Sequence, residues 1–88
     1  MESRLALVGI MIEDLSASVQ VNALLHNVAD KVLCRTGFPY RDRGVYLISV
    51  ILDATGDEIS SLAGKLGRLP GVSVKTMLTN AGDKSGSK

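Results

Sequence analysis

The chain has 88 residues, of which 45% are hydrophobic, and a formal net charge of +1. This length holds one hydrophobic core, and the composition is typical of a folded domain. The low net charge argues against direct nucleic-acid binding, which depends on a dense basic surface. The apolar runs are far shorter than the roughly 20 residues that cross a membrane. Because there is no secretion signal and only one cysteine, we expect a cytoplasmic protein.

The N-terminal part of the chain predicts a strand followed by a helix. Positions 5–12 are apolar apart from Gly9, and their β-branched residues and short length favour a buried strand. Asp14 or Ser16 can cap the helix that follows, because short polar side chains accept hydrogen bonds from free amides at a helix start. The apolar stripe of this helix consists of Ala17, Val21, Leu24, Leu25 and Val28.

A hairpin is predicted next. Positions 32–38 predict a second strand, which should end where Pro39 removes a backbone donor. One side of this strand should carry Val32, Cys34, Thr36 and Phe38. The polar turn at 40–44 is short enough to make positions 45–52 the antiparallel partner strand.

The C-terminal part predicts a second helix and a fourth strand. Thr55 and Glu58 have the spacing of a capping box, which places the helix start near Gly56. Its apolar stripe consists of Ile59, Leu62, Ala63 and Leu66. Pro70 and Gly71 end the helix, and the alternating residues that follow predict a half-buried strand from Val72 to Leu78.

This order of elements predicts an α+β, ferredoxin-like βαββαβ domain over residues 1–81, with both helices on one face of a four-stranded antiparallel sheet. Residues 82–88 should form a disordered tail. In such a domain the other sheet face meets water, so central strands should alternate apolar and polar residues. Both central strands are instead apolar at nearly every position. We therefore expect another subunit to cover the open face.

The self-interface is assigned here to two groups of residues. On the central strands the assigned residues are Ala6, Val8, Ile10, Ile48 and Val50. The outer side of the first helix is mildly apolar and offers a second contact surface through Val19 and Ala23. The alternative is that these two are ordinary scattered apolar residues of a monomer surface.

Four stretches carry a resemblance to a known family: 21–27 (VNALLHN), 34–40 (CRTGFPY), 62–67 (LAGKLG) and 71–75 (GVSVK). They are similar to the iron-only hydrogenase system regulators, which are short stand-alone ACT-like domains related to the C-terminal domain of nickel-responsive repressors. The resemblance covers nearly the whole chain, over about residues 5–79. It implies a bacterial cytoplasmic regulator that forms oligomers through its sheet and binds a small effector. Neither the effector nor the target follows from it.

The related nickel-responsive repressors hold their metal with several imidazoles and a thiolate shared between subunits. This chain has one histidine, His26, and one cysteine, Cys34, whereas a closed transition-metal site needs three or four nitrogen or sulfur ligands. In a symmetric oligomer, two copies of this His–Cys pair could together supply four ligands and form the site of a metal sensor. The alternative is a surface histidine and a packed thiol. We expect no metal and no cofactor.

ACT domains bind ligands near the loop after the first strand. The matching residues here are Ile12, Glu13, Asp14 and Ser16. Arg41 and Arg43 at the hairpin tip, with Asp42 between them and Arg35 on the preceding strand, form a polar group whose arginines could bind a carboxylate or phosphate, although a solvated turn is the commoner role. The chain has no phosphate-cradling loop, catalytic pair or dinucleotide fingerprint, so we expect no enzymatic activity.

These observations predict a regulatory domain that forms a homodimer or homotetramer. Its further partners would be a small effector or a partner regulator protein, with no direct contact to nucleic acid or membrane. The alternatives are a structural interaction module and the metal sensor that uses His26 and Cys34.

Overall fold

The computed structural model describes residues 3–79. In chain order its helices and strands are β1 Ser3–Ile12, α1 Ser18–His26, β2 Val32–Tyr40, β3 Val45–Thr55, α2 Gly56–Gly67 and β4 Val72–Leu78. Short 3-10 turns at Leu15–Ala17, Ala29–Lys31 and Arg41–Arg43 connect them. The tail predicted at 82–88 lies outside the described residues.

The four strands form one antiparallel sheet in the order β2-β3-β1-β4. Residues of α1 and α2 share a single hydrophobic core with one face of this sheet. The order of elements and the sheet confirm the predicted ferredoxin-like fold.

The core lies between the helices and the even-numbered side chains of β1 and β3, because successive side chains of a strand point to opposite faces. Its buried residues are Ala6, Val8, Ile10, Ile12, Ala17, Val21, Leu25, Ile48, Val50, Leu52, Ala54, Ile59, Leu62, Leu66 and Val72. Full burial of a valine, leucine or isoleucine side chain contributes about 1.5–3 kcal/mol. This face of the sheet therefore provides most of the stability of the chain.

The prediction that five residues of the central strands form the self-interface is wrong. Ala6, Val8, Ile10, Ile48 and Val50 are at most 3% exposed in a single chain and belong to the core. Alternation marks the two faces only weakly, because both sets of side chains on the central strands are largely apolar. The helices cover the even-numbered set, and the odd-numbered set faces away from them.

The second strand differs from its prediction in two respects. The register shifts between Val32 and Cys34, so Val32 packs against the core while the alternating set that starts at Cys34 faces away from the helices. The four predicted residues therefore do not share a side. The strand also continues through Pro39 to Tyr40. Proline is tolerated there because β2 is an edge strand of the sheet.

Of the two predicted caps, Asp14 and Ser16, it is Asp14 that starts the helical segment after β1. Asp14 Oδ1 accepts hydrogen bonds from the Ser16 hydroxyl at 2.7 Å and the Ser16 amide at 3.1 Å, which caps the turn Leu15–Ala17 that leads into α1. These two bonds favour the carboxylate and lower the pKa of Asp14. The predicted stripe is confirmed, since its members Ala17, Val21, Leu24, Leu25 and Val28 all pack in or against the core.

The predicted capping box starts α2. Thr55 Oγ1 accepts a hydrogen bond from the Glu58 amide at 3.2 Å, and Glu58 Oε1 accepts one from the Thr55 amide at 2.9 Å. The other carboxylate oxygen of Glu58 lies 2.9 Å from Lys31 Nζ. The bond from Lys31, followed by that from the Thr55 amide, lowers the pKa of Glu58 to about 2. At pH values above the ordinary pKa of the carboxyl group, these contacts stabilise the folded chain. Their contribution is lost as the pH falls towards 2 and Glu58 becomes protonated.

Gly71 joins the loop before β4 to the loop after β1. Its φ angle is +75°, and its carbonyl oxygen accepts a hydrogen bond from the Glu13 amide at 2.7 Å. A Cβ at position 71 would lie 2.5 Å from Asp14 Cβ and 3.0 Å from the Asp14 nitrogen. Both the backbone angle and the contact therefore require glycine.

Replacing Gly71 tests this junction. We expect Gly71→Ala to lower the free energy of unfolding by roughly 2–4 kcal/mol, from the left-handed angle and the contact with Asp14. The measurement is urea unfolding followed by circular dichroism. Gly64→Ala is the matched control, because a Cβ there meets nothing within 4 Å and alanine should stabilise α2 by about 0.5–1 kcal/mol. Equal stability of the two variants would contradict the packing described for Gly71.

Candidate functional site

The sheet face turned away from the helices is apolar, and we call it the open face. It consists of Leu5, Leu7, Gly9 and Met11 of β1, Leu47, Ser49, Ile51 and Asp53 of β3, Cys34, Thr36, Phe38 and Tyr40 of β2, and Ser73, Lys75 and Met77 of β4. Leu7 is 41% exposed, Phe38 56% and Met77 69%. Adjoining apolar side chains of this kind usually mark a binding surface.

The strand register arranges the open face in rows that run across the strands. The central row is Thr36, Ser49, Gly9 and Lys75. One neighbouring row is Phe38, Leu47, Met11 and Ser73, and the other is Cys34, Ile51, Leu7 and Met77. A seam of small and polar residues thus separates two largely apolar rows.

A shallow groove of about 510 Å³ covers the central seam and the neighbouring row of Phe38, Leu47, Met11 and Ser73. Within it the hydroxyls of Thr36 and Ser49 lie 2.7 Å apart and hydrogen-bond to each other. On β2 the rings of Phe38 and Tyr40 stack with their centroids 5.7 Å apart. Because the two hydroxyls already bond to each other, an apolar surface could cover them and leave neither without a hydrogen-bond partner.

Two charged side chains, Asp53 and Lys75, lie among the open-face positions. Asp53 on β3 pairs with Leu5, and Lys75 on β4 pairs with Gly9. Because β1 lies between β3 and β4, Leu7 stands midway between the two charges. The strand spacings place their Cα atoms roughly 17 Å apart. The two opposite charges are therefore placed symmetrically about an apolar centre.

Contacts within the fold occupy much of the predicted effector loop. Ile12 is fully buried in the core, so its side chain is not available to an effector. The Glu13 amide is bonded to Gly71, and the Asp14 carboxylate to Ser16. The Glu13 and Ser16 side chains are exposed. Effector binding by this loop stays a prediction.

The hairpin arginines lie at the same end of the sheet as the predicted effector loop. Arg41 and Arg43 are in the turn between β2 and β3, and the last residue of β1, Ile12, pairs with Tyr46 close to that turn. Within residues 3–79 no ion pair or side-chain hydrogen bond joins the two arginines to the loop. An effector site that uses both stays a prediction.

The two candidate metal ligands lie on opposite sides of the sheet. His26 is the last residue of α1 and is exposed on the helix side. Cys34 belongs to the open face and is an exposed free thiol, so the expectation of a packed thiol is wrong. The bulge before Cys34 is the reason for its position. The structure does not bring the pair together in one chain, and residues 3–79 hold no group of three or more potential acidic, His or Cys ligands.

The second predicted contact surface lies on the helix side. Val19 is 76% exposed, and Ala23 is exposed one turn further along α1. Both line a cleft of about 610 Å³ between α1 and β2. Their role as a contact between subunits stays a prediction.

Sequence reasoning missed the odd-numbered residues of the open face, although a signal for them was present. Ser49 and Asp53 alternate with the core set of β3 and share a side with Leu47 and Ile51. The even-numbered residues of β3 from Ile48 onwards are all apolar. Polar members within one alternating set mark the face that is turned away from the core.

A family model described as "TM1266-like: Iron-only hydrogenase system regulator, putative" matches residues 4–76. This chain belongs to that family. The structure of the uncharacterized protein TM1266 from Thermotoga maritima matches with a TM-score of 0.85 and 38% sequence identity, over 90% of this chain and 100% of that one. The resemblance inferred from the sequence is thereby confirmed. No match was found among curated proteins.

Two more distant structures share the fold with this TM1266-like chain. The C-terminal domain of the MgtC protein from Mycobacterium tuberculosis has a TM-score of 0.68 and 17% identity, over 86% of this chain and 87% of that one. A formyltetrahydrofolate deformylase from Pseudomonas putida KT2440 has a TM-score of 0.61 and 16% identity, over 83% of this chain and 28% of that one. At these identities the likeness shows the fold alone. Neither helix within residues 3–79 has the length and hydrophobicity of a membrane span.

Proposed function

We propose that this chain is a non-enzymatic regulatory domain that acts as a homodimer, in which the open faces of two copies pack together. The family description links it to the iron-only hydrogenase system. The observation that carries the proposal is the apolar open face, with Leu7 at its centre. A partner regulator protein would convey the effect to its target, because a net charge of +1 offers no basic surface for nucleic acid.

The size of the open face supports a second copy as its occupant. The four strands have between 7 and 11 residues each. Together they span roughly 19 by 30 Å, or about 600 Å² if the sheet is treated as flat. Specific interfaces bury about 800 Å² per partner, and weaker ones about 600 Å². Burial of this apolar surface is therefore enough to hold two small domains together.

The charges of the open face support a symmetric pairing. In a two-fold dimer each contact occurs twice with the roles of the copies exchanged. Leu7 lies midway between Asp53 and Lys75. A two-fold axis that lies in the plane of the interface, passes near Leu7 and runs perpendicular to the line between these two residues would place Asp53 of each copy beside Lys75 of the other. The hydroxyls of Thr36 and Ser49 already satisfy each other. In this arrangement neither Asp53 nor Lys75 is left without an opposite charge, and the Thr36 and Ser49 hydroxyls keep each other as partners.

A charge at the centre of the open face should separate the copies. We expect wild type to have the mass of a dimer by light scattering at micromolar concentration, and Leu7→Asp to have that of a monomer. The aspartate would place an uncompensated carboxylate in each half of the interface and weaken association about a hundredfold or more. The monomer should remain folded by circular dichroism, because Leu7 is already 41% exposed in one chain.

Leu15→Asp is the matched control. Leu15 is 58% exposed but lies in the turn before α1, away from the open face, so this variant should keep the wild-type mass. A monomeric wild type, or loss of the dimer in Leu15→Asp but not in Leu7→Asp, would contradict the proposal.

Charge exchange tests the predicted pairing of Asp53 with Lys75. Lys75→Glu should weaken the dimer roughly tenfold, because two like-charge contacts replace two attractive ones. Asp53→Lys should do the same, and the double variant Asp53→Lys/Lys75→Glu should regain most of the lost affinity. Sedimentation equilibrium measures all three. A double variant weaker than either single variant would show that the two side chains do not meet.

A further inference from the structure

The cleft between α1 and β2 lies on the side of the sheet opposite to the open face. It has a volume of about 610 Å³, within the range of about 300–1,000 Å³ that is usual for small-molecule sites. Val50 and Leu25 form buried parts of its wall, and Val32 is half-buried beside them. The outer part of the cleft is lined by Val19 and Ala23 of α1. Most of the lining is therefore apolar.

The polar groups of the α1–β2 cleft are few and converge on one side. They are Asn22 and His26, one turn apart on α1, and Arg35 on β2. A terminal nitrogen of Arg35 donates a hydrogen bond to the Asn22 side-chain oxygen. No carboxylate side chain lines the cleft, and Arg35 takes part in no ion pair within residues 3–79. The guanidinium therefore has donors left for an anion, held in place by Asn22.

We propose that the α1–β2 cleft binds a small organic carboxylate with an apolar tail. The planar fork of Arg35 matches the two oxygens of a carboxylate, while the accessible apolar wall formed by Val19, Val32 and Ala23 receives the tail. Asn22 orients the guanidinium, and His26 contributes a further ring nitrogen at the edge. This site is separate from the open face, so it does not depend on self-association.

The test is a titration of the labelled full chain by two-dimensional NMR, with isocaproate as the probe. We expect saturable shifts at the amides of Asn22, Ala23, His26 and Arg35. Isocaproamide has the same tail without the charge, and inorganic phosphate has charge without the tail. Both should bind at least about tenfold more weakly than isocaproate. Equal binding of all three, or isocaproate shifts that do not saturate or lie elsewhere, would overturn the proposal.

Two variants locate the site, with a third as control. Arg35→Gln should lower the affinity for isocaproate about tenfold or more by removing the charged donor. Ala23→Leu should block binding by filling the cleft. Arg68→Gln removes the same charge from the end of α2 and should leave the affinity unchanged. An equal loss in Arg35→Gln and Arg68→Gln would show only a net-charge effect and would overturn the assignment.

Light scattering on the same variants separates this site from the proposed dimer. Ala23→Leu and Arg35→Gln should keep the wild-type mass while losing isocaproate. If Ala23→Leu changes the mass instead, the cleft is covered by a second copy, and the carboxylate site is rejected. A monomeric wild type that still binds isocaproate would reject the open-face dimer and leave the cleft site standing.

Discussion

The two helices cover only one face of a sheet whose central strands are apolar on both faces, and the other features of the molecule depend on this mismatch. The even-numbered residues of β1 and β3 bury themselves under α1 and α2. The odd-numbered residues, with Leu7 at their centre, are left facing outwards. The hydrophobic effect that stabilises the core thus also favours contact of the open face with another surface.

The local features of this chain could be predicted from its sequence, whereas the two faces of the sheet are distinguished there only by the polar residues Ser49 and Asp53 of β3. The Asp14 cap, the Thr55–Glu58 capping box and the helix stripes depend on residues a few positions apart, so spacing reveals them. Which side of β1 meets the helices depends on the packing of distant elements. The bulge before Cys34 also turned that residue to the other side of the sheet, since one extra residue reverses the alternation.

The α1–β2 cleft escaped the sequence analysis for a related reason. Its polar groups come from elements that are adjacent only in the fold, and no spacing along the chain brings Asn22 and Arg35 together. The strand β2 connects this cleft to the open face. Arg35 points to the cleft, while its neighbours Cys34 and Thr36 point to the open face. A ligand bound to Arg35 and a second copy packed on Cys34 and Thr36 would thus contact neighbouring residues of one edge strand from opposite sides.

The central claim is that a second copy covers the open face. An isotope-filtered NOE experiment on a mixture of labelled and unlabelled chains tests it most directly, because only contacts between copies give a signal. The account predicts contacts between copies among the methyl groups of Leu7, Ile51 and Met77. The absence of such contacts, or contacts confined to Val19 and Ala23 on α1, would contradict it.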